Sequence, residues 1–229
     1  MTNVNWERWA RASGIGFVVL FVVAFAIYGN PPKVNGSATD IVSFFDGHRG
    51  RVLTSMIIFG IAFLLLLWFI GTIANILREA GEGRIAATTI AAGGAFVGIQ
   101  AVCGAIAGGL ALNIAGIGDE GIVRALNTLL STGQVISAYP LALIILFVST
   151  GLSRAQIMTA DWHRYLGLLA SVLVLLYGTT WATTGFWSAT GGYLWIMIVA
   201  FIGWTLITSW LLYARATAEV PGRAAVPTT

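Results

Sequence analysis

The sequence predicts an all-α membrane protein, a bundle of six transmembrane helices with both termini in the cytoplasm. Three observations predict this class. Of the 229 residues, 58% are hydrophobic and only 9% are charged, with a mean hydropathy of +0.87, whereas an ordinary soluble domain carries roughly 25% charged residues. Six apolar stretches have the length of a membrane span. The arginines and the aromatic residues are distributed unevenly between the segments that connect these stretches.

A helix needs about 20 residues to cross the hydrocarbon core of a bilayer. The stretches that qualify are approximately 13–29, 52–77, 85–113, 126–152, 165–187 and 192–213. No Asp, Glu, Lys, Arg or His lies well inside any of them. Because ionisable side chains at membrane depth usually mark proton relays and ion paths, their absence argues against a proton pump, a charge-coupled carrier or a conventional ion channel.

The first stretch also resembles a signal peptide, because Arg8 and Arg11 precede the apolar run and Ala24-Phe25-Ala26 is a candidate cleavage site. We expect it to be retained as the first span. Eight basic residues then fall in cytoplasmic segments and four outside, which favours cytoplasmic termini in a multi-pass protein of the cell membrane. The cytoplasmic set is Arg8, Arg11, Arg78, Arg84, Arg154, Arg164, Arg215 and Arg223, and the outer set is Lys33, Arg49, Arg51 and Arg124.

Tryptophan and tyrosine residues support the same orientation, since their rings favour the two membrane interfaces. The inner interface would hold Trp6, Trp9, Trp162, Trp210 and Tyr213, and the outer one Tyr28, Tyr193 and Trp195. After Tyr213 the composition turns to Ala, Thr, Pro and Gly with isolated charges. We therefore expect a transmembrane domain over residues 1–215 and a mobile cytoplasmic tail over residues 216–229.

The longest outer loop runs from Asn30 to Gly47 and contains a candidate helix start. Ser37 is placed as the N-cap, with Asp40 three residues later. The apolar residues that follow could form a short amphipathic helix on the membrane surface. They are Ile41, Val42, Phe44 and Phe45. The alternative is a structured loop without a helix.

The third span carries small residues at spacings of four and three, which places them along one helix face. They are Gly94, Gly98, Ala101, Ala105, Gly108 and Ala111. Lipid gives helices little hydrophobic drive to associate, so such faces promote close packing between backbones. We interpret this face as a helix-packing seam, the alternative being a seam that lines a narrow path.

The fifth span has the most polar and aromatic face. Its stripe consists of Tyr177, Trp181, Thr184 and Ser188, with Thr180 beside it. At 1.5 Å per residue, the stripe lies in the outer half of the membrane. Gln100 on span three lies at a comparable depth, as does Gln134 on span four with Asn127 and Ser131 on its face. Aromatic walls with a few uncharged polar groups are typical of a site for a neutral or amphipathic molecule. The alternative is hydrogen bonding between helices.

Two copies of Asp-x-His-Arg contain the only histidines, His48 and His163, each immediately before a predicted span. With three spans per half, the copies could belong to an inverted repeat, although a helix-capping Asp and an interfacial Arg also explain each one. The predicted topology places the histidines on opposite membrane faces, which argues against a shared metal or haem site. Cys103 is the only cysteine. We predict no catalytic residue, no metal site, no cofactor and no nucleic-acid partner.

The segment from Ala38 to Arg51, an acidic and aromatic approach to His48-Arg49 and span two, resembles a group of uncharacterised six-span bacterial membrane proteins that are common in actinobacteria. The resemblance extends over most of the six spans in length and layout. It implies the topology, and it implies no substrate, cofactor or catalytic residue.

These observations predict a non-enzymatic membrane protein that binds or passes a neutral or amphipathic small molecule or lipid at an outward-facing pocket. The candidate lining residues are Gln100, Gln134, Tyr177, Thr180, Trp181, Thr184 and Ser188. One alternative is an accessory or assembly subunit of a larger membrane complex. Another is the substrate-capture component of a multi-subunit importer, docked through small-residue seams such as Ala12, Gly16 and those of span three. A membrane-embedded enzyme is the third alternative, and the titratable groups that catalysis usually needs are confined here to the interfaces. The expected partners are membrane lipids, a small apolar or amphipathic ligand and other membrane subunits.

Overall fold

The computed structural model describes residues 3–117, 119–158 and 160–218, and within them it contains helices and no β-strand. The elements are α1 (Asn3–Tyr28), α2 (Ala38–Phe45), α3 (Arg49–Glu79), α4 (Gly83–Gly109), a π-helical segment (Leu110–Ile114), α5 (Ala115–Ile117), α6 (Glu120–Arg154), α7 (Asp161–Tyr177) and α8 (Gly192–Ala218).

Five helical segments among the described residues are long and apolar enough to cross a membrane. They are Trp6–Tyr28, Arg49–Glu79, Gly83–Ile117, Glu120–Arg154 and Gly192–Ala216. α7 has 17 residues, which at 1.5 Å per residue gives about 26 Å, a little less than the roughly 30 Å of a hydrocarbon core. The fold is therefore that of a helical multi-pass membrane protein.

The six long helices form a ring in chain order. α1 packs on α3, α3 on α4, α4 on α6, α6 on α7 and α7 on α8, and α8 closes the ring against α1. The closing pair is antiparallel, because Ser209 near the end of α8 donates a hydrogen bond to the Arg11 carbonyl near the start of α1, while Phe25 near the end of α1 contacts Trp195 near the start of α8.

The interior of the ring is filled by apolar side chains at the end where α1 begins and α8 ends. Large side chains there are fully buried, including Phe69, Ile73, Leu77, Ile145 and Leu152. A second apolar cluster occupies the opposite end and includes Tyr28, Phe45, Val52, Leu110 and Val123. Residues of both clusters, such as Phe201 and Tyr28, line an open space inside the ring.

α2 confirms the predicted helix start, since Ser37 and Asp40 form a reciprocal capping box. The expectation that its apolar residues lie on the membrane surface is wrong. Ile41 and Phe45 are 1% and 0% exposed, and α2 packs on α3, α5 and α6. α2 packs against the apolar residues of the second cluster at this end of the bundle, and it therefore covers the protein interior.

The predicted fifth span is too long at its C-terminal end, because α7 stops at Tyr177. The hydroxyls of Thr179 and Thr180 donate to the carbonyls of Leu176 and Tyr177, and such local bonds compete with helix continuation. The Gly178 carbonyl also accepts a hydrogen bond from the hydroxyl of Tyr139 on α6. Residues 178–191 are therefore a loop, and the predicted helical stripe from 177 to 188 does not form.

The small-residue face of α4 does not contact another helix of this chain over most of its length. Gly94, Gly98, Ala101 and Ala105 are exposed, and a Cβ atom on either glycine would meet no heavy atom within 4 Å. The packed face of α4 instead includes Gly93, where a Cβ atom would lie 2.9 Å from the Ile70 side chain. The seam is thus directed away from the bundle, although Ala111 at its end is buried.

The predicted C-terminal tail begins inside α8, since residues 216–218 continue that helix. The rest of the tail, residues 219–229, lies outside the described residues.

Candidate ligand cavity

A cavity of about 160 Å³ occupies the centre of the ring, in the half that contains the α1–α2 loop. α1, α3, α4, α6 and α8 supply most of its wall, and Pro31 and Thr190 border it from the two loops at that end. For comparison, an engineered apolar cavity of about 150 Å³ in another protein holds benzene. The space in this protein is therefore large enough for a molecule the size of one ring.

One wall of the cavity is aromatic. It is built by six phenylalanines from four helices, namely Phe21, Phe25, Phe59, Phe63, Phe96 and Phe201. Their rings meet mainly edge to face: Phe63 and Phe96 have centroids 6.0 Å apart at 77°, and Phe96 and Phe201 are 5.9 Å apart at 73°. Edge-to-face contact is a favourable arrangement of aromatic pairs, so this wall is a preformed apolar surface.

Another part of the lining carries uncharged polar groups from α4 and α6. α4 contributes Gln100, and α6 contributes Asn127, Ser131, Gln134 and Ser137. The α6 residues recur at spacings of four and three, which places them on one helix face. The Ser131 and Ser137 hydroxyls donate to carbonyls of their own helix, and Asn127 Nδ2 donates to the Lys33 carbonyl in the α1–α2 loop at 3.2 Å.

The carboxamides of Gln100 and Gln134 differ from these groups. Neither makes a side-chain hydrogen bond to any part of the chain that the structure describes, although both line the cavity. No charged side chain is among the lining residues. Because each carboxamide has donors and an acceptor, the cavity presents two uncharged groups that can bond to a guest molecule.

The structure brings together three of the predicted site residues: Gln100, Gln134 and Tyr177 all line the cavity. The Tyr177 hydroxyl donates to the Ala189 carbonyl at 2.8 Å, so this side chain also ties the end of α7 to the following loop. These positions describe the lining of a cavity. The ligand-binding role assigned to the residues stays a prediction.

The other four predicted residues lie in the 178–191 loop and are not among the lining residues. Thr180 is buried against the end of α7, and the Ser188 hydroxyl donates to the Gly185 carbonyl. Trp181 is 55% exposed, and its indole N–H donates a hydrogen bond to the Gly178 carbonyl. Thr184 is exposed. The end of α7 separates them from Tyr177, because helical spacing no longer applies beyond it.

The aromatic wall is not apparent from the sequence. The pairs Phe21/Phe25 and Phe59/Phe63 have a spacing of four, which puts each pair on one helix face. In a membrane segment the same pattern is equally typical of a face toward lipid, so the spacing by itself could not assign these rings to a cavity.

The two histidines lie at opposite ends of the bundle and in different environments. His48 precedes α3, is exposed and has its Nδ1 3.2 Å from the Ser43 carbonyl. His163 is fully buried, with Nε2 3.0 Å from the hydroxyl oxygen of Thr208 on α8. Within the described residues, no group of three or more His, Cys, Asp or Glu is placed to hold a metal ion.

No family model, curated protein or solved structure matches this chain. The assignment to the helical multi-pass membrane proteins therefore rests on the sequence and on the fold.

Proposed function

We propose that this chain is a non-enzymatic protein of the cell membrane that binds or passes a neutral or amphipathic small molecule or lipid at an outward-facing intramembrane pocket. The observation that carries the proposal is the central cavity, whose lining combines an aromatic wall with uncharged polar side chains and includes no charged one. Ligand pockets commonly have this composition. The unbonded carboxamides of Gln100 and Gln134 supply the polar contacts.

The proposal includes six spans with both termini in the cytoplasm. It counts α7 as a span in addition to the five long apolar segments, since α7 lies in the ring between α6 and α8. The excess of arginine in the segments at the α1 start supports a cytoplasmic location of that end. In this orientation the α1–α2 loop and the cavity beneath it belong to the outer half of the membrane.

Single cysteines in a Cys103→Ser background test the orientation. Asn35→Cys lies in the α1–α2 loop and Ala80→Cys in the α3–α4 turn, and both positions are exposed. We expect a membrane-impermeant maleimide to label Asn35→Cys in intact cells and Ala80→Cys only after lysis. The reverse pattern would show that the protein has the opposite orientation in the membrane. Labelling of both cysteines in intact cells would contradict the proposed topology.

Native mass spectrometry of the protein released from mild detergent tests the binding function. We expect a stoichiometric small molecule or lipid on the wild type. Gly104 lines the cavity, so Gly104→Leu should fill it and remove the bound species. Gly98→Leu is the matched control, because Gly98 is on the outer face of the same helix with no heavy atom within 4 Å of an added Cβ atom. A wild type without any bound species, indistinguishable from Gly104→Leu, would contradict the proposal.

A second candidate function is that of an accessory or assembly subunit, or of the substrate-capture component of an importer. The exposed face of Gly94, Gly98, Ala101 and Ala105 favours it, since small residues allow close packing between membrane helices. Affinity purification tests it. A partner recovered in fixed stoichiometry with the wild type and lost with Gly98→Leu would support this function, and an unpartnered chain in both preparations would contradict it.

A further inference from the structure

We propose that the cavity selects an uncharged molecule the size of a single ring that carries a group able both to donate and to accept hydrogen bonds, such as a carboxamide or lactam. This inference rests on the proposed binding function and narrows its ligand class. It excludes an organic anion and a purely apolar molecule as the preferred occupant. Three properties of the cavity lead to it.

The first property is size. The cavity measures about 160 Å³, similar to the roughly 150 Å³ cavity that accepts benzene. A molecule with one ring and a short polar substituent fits this space.

The second property is the shape of the aromatic wall. Phe21 and Phe59 meet at 68° with centroids 5.4 Å apart, and Phe63 and Phe96 meet at 77°. In both pairs the edge of one ring meets the face of the other. A planar ring can continue these contacts, and aromatic pairs contribute beyond the area that they bury.

The third property is the polar wall with its unbonded carboxamides. A purely apolar guest would displace water from Gln100 and Gln134 and leave both without partners, which is unfavourable for buried polar groups. A charged guest would be desolvated without any opposite charge among the lining residues. A neutral guest with its own donor and acceptor satisfies both carboxamides, because each glutamine side chain also has both kinds of group.

Fluorine NMR with matched probes tests this selection on the full chain in lipid nanodiscs. The probes are para-fluorobenzamide, para-fluorotoluene and para-fluorobenzoate, which share the fluorinated ring and differ in the substituent. We expect a saturable bound signal for para-fluorobenzamide that is absent with Gly104→Leu, and at least tenfold weaker binding of the other two probes. The Gly104→Leu sample also corrects for probe that partitions into the lipid.

The variant Gln100→Leu combined with Gln134→Leu tests the role of the carboxamides, since leucine keeps a similar volume and removes the polar atoms. We expect it to weaken the binding of para-fluorobenzamide at least tenfold, to strengthen the binding of para-fluorotoluene, since no carboxamide is then left without a partner, and to keep the wild-type melting temperature. Unchanged binding of both the benzamide and the toluene probe in this variant would overturn the inference. Binding of the toluene or benzoate probe to the wild type that is stronger than binding of the benzamide probe would also overturn it.

The outcomes separate this inference from the proposed function. If a native bound species is found by mass spectrometry and none of the ring probes binds, the ligand class is wrong and the binding function stands. If para-fluorotoluene binds as well as para-fluorobenzamide, the cavity accepts rings without polar selection. If no probe binds and no native species is found, both proposals fail.

Discussion

The Trp204 indole N–H donates a hydrogen bond to the Ser149 hydroxyl at 2.8 Å and so joins α8 to α6 inside the bundle. α7 passes beside this bond at Gly167. A Cβ atom on Gly167 would overlap the Ser149 side chain and lie 3.4 Å from Trp204 Nε1. The lack of a side chain at Gly167 therefore allows three helices to meet around one buried hydrogen bond.

The variant Gly167→Ala should destabilise the protein. The added methyl group forces Ser149 or the α7 backbone to move, and overpacking of this kind costs about 1–3 kcal/mol of the free energy of unfolding. Thermal unfolding of the purified protein in detergent measures the effect. The control is Gly94→Ala, which adds a methyl group on the outer face of α4 where no heavy atom lies within 4 Å. Equal melting temperatures for the two variants would contradict the packing described here.

The Trp204–Ser149 hydrogen bond should also appear as a coupling between the two side chains. In a double-mutant cycle of Ser149→Ala and Trp204→Phe, we expect about 0.6 kcal/mol and at most about 1.7 kcal/mol, the range measured for hydrogen bonds between membrane helices. The control cycle combines Trp204→Phe with Thr128→Ala, because within the described residues the Thr128 hydroxyl bonds only to the Arg124 carbonyl of its own helix. The control pair should be additive, and an equal coupling in both cycles would show that the bond is not its source.

The two Asp-x-His-Arg segments should respond differently to loss of the histidine. His163 is fully buried and bonded to Thr208, so His163→Ala leaves the Thr208 hydroxyl without this partner and should cost about 1–3 kcal/mol of the free energy of unfolding. His48 is exposed, and His48→Ala should change that free energy by less than about 0.5 kcal/mol. Thermal unfolding compares them. Similar losses would mean that the shared motif, and not the burial, determines the contribution.

The parts of the fold that depend on local sequence were predictable. The length and composition of the apolar stretches indicated long membrane helices, and Ser37 with Asp40 indicated where α2 begins. Both signals act within a few residues of the feature that they determine. The end of α7 was not predictable in the same way, because it also depends on the bond from Tyr139 on α6 to the Gly178 carbonyl.

The least predictable property was whether a given face of a membrane-spanning helix points to lipid or to the protein interior. In water an apolar face turns inward, but in a bilayer an apolar face packs equally well against lipid or protein. Phe21 and Phe63 therefore gave no sign of a cavity wall, and Gly94 and Gly98 gave no sign of an outward face. The polar residues Gln100 and Gln134 were easier to place, since unbonded amides are costly in lipid.

The capping box of α2 leads to the last prediction. Ser37 Oγ accepts a hydrogen bond from the Asp40 N–H at 3.0 Å, and the Asp40 carboxylate accepts one from the Ser37 N–H at 3.3 Å. Ser37→Ala removes the first of these bonds and should destabilise the helix by about 1 kcal/mol. Because α2 is a short segment at the end of the bundle, the loss should appear as local opening rather than global unfolding.

Hydrogen exchange of the peptide covering α2 measures this opening. We expect Ser37→Ala to raise the exchange rate of the α2 amides about fivefold, which corresponds to about 1 kcal/mol, while the melting temperature stays close to that of the wild type. Thr39→Ala is the matched control, since Thr39 is exposed and its side chain makes no hydrogen bond within the described residues. Unchanged exchange in Ser37→Ala would show that packing of Ile41 and Phe45 on the bundle holds α2 in place without the cap.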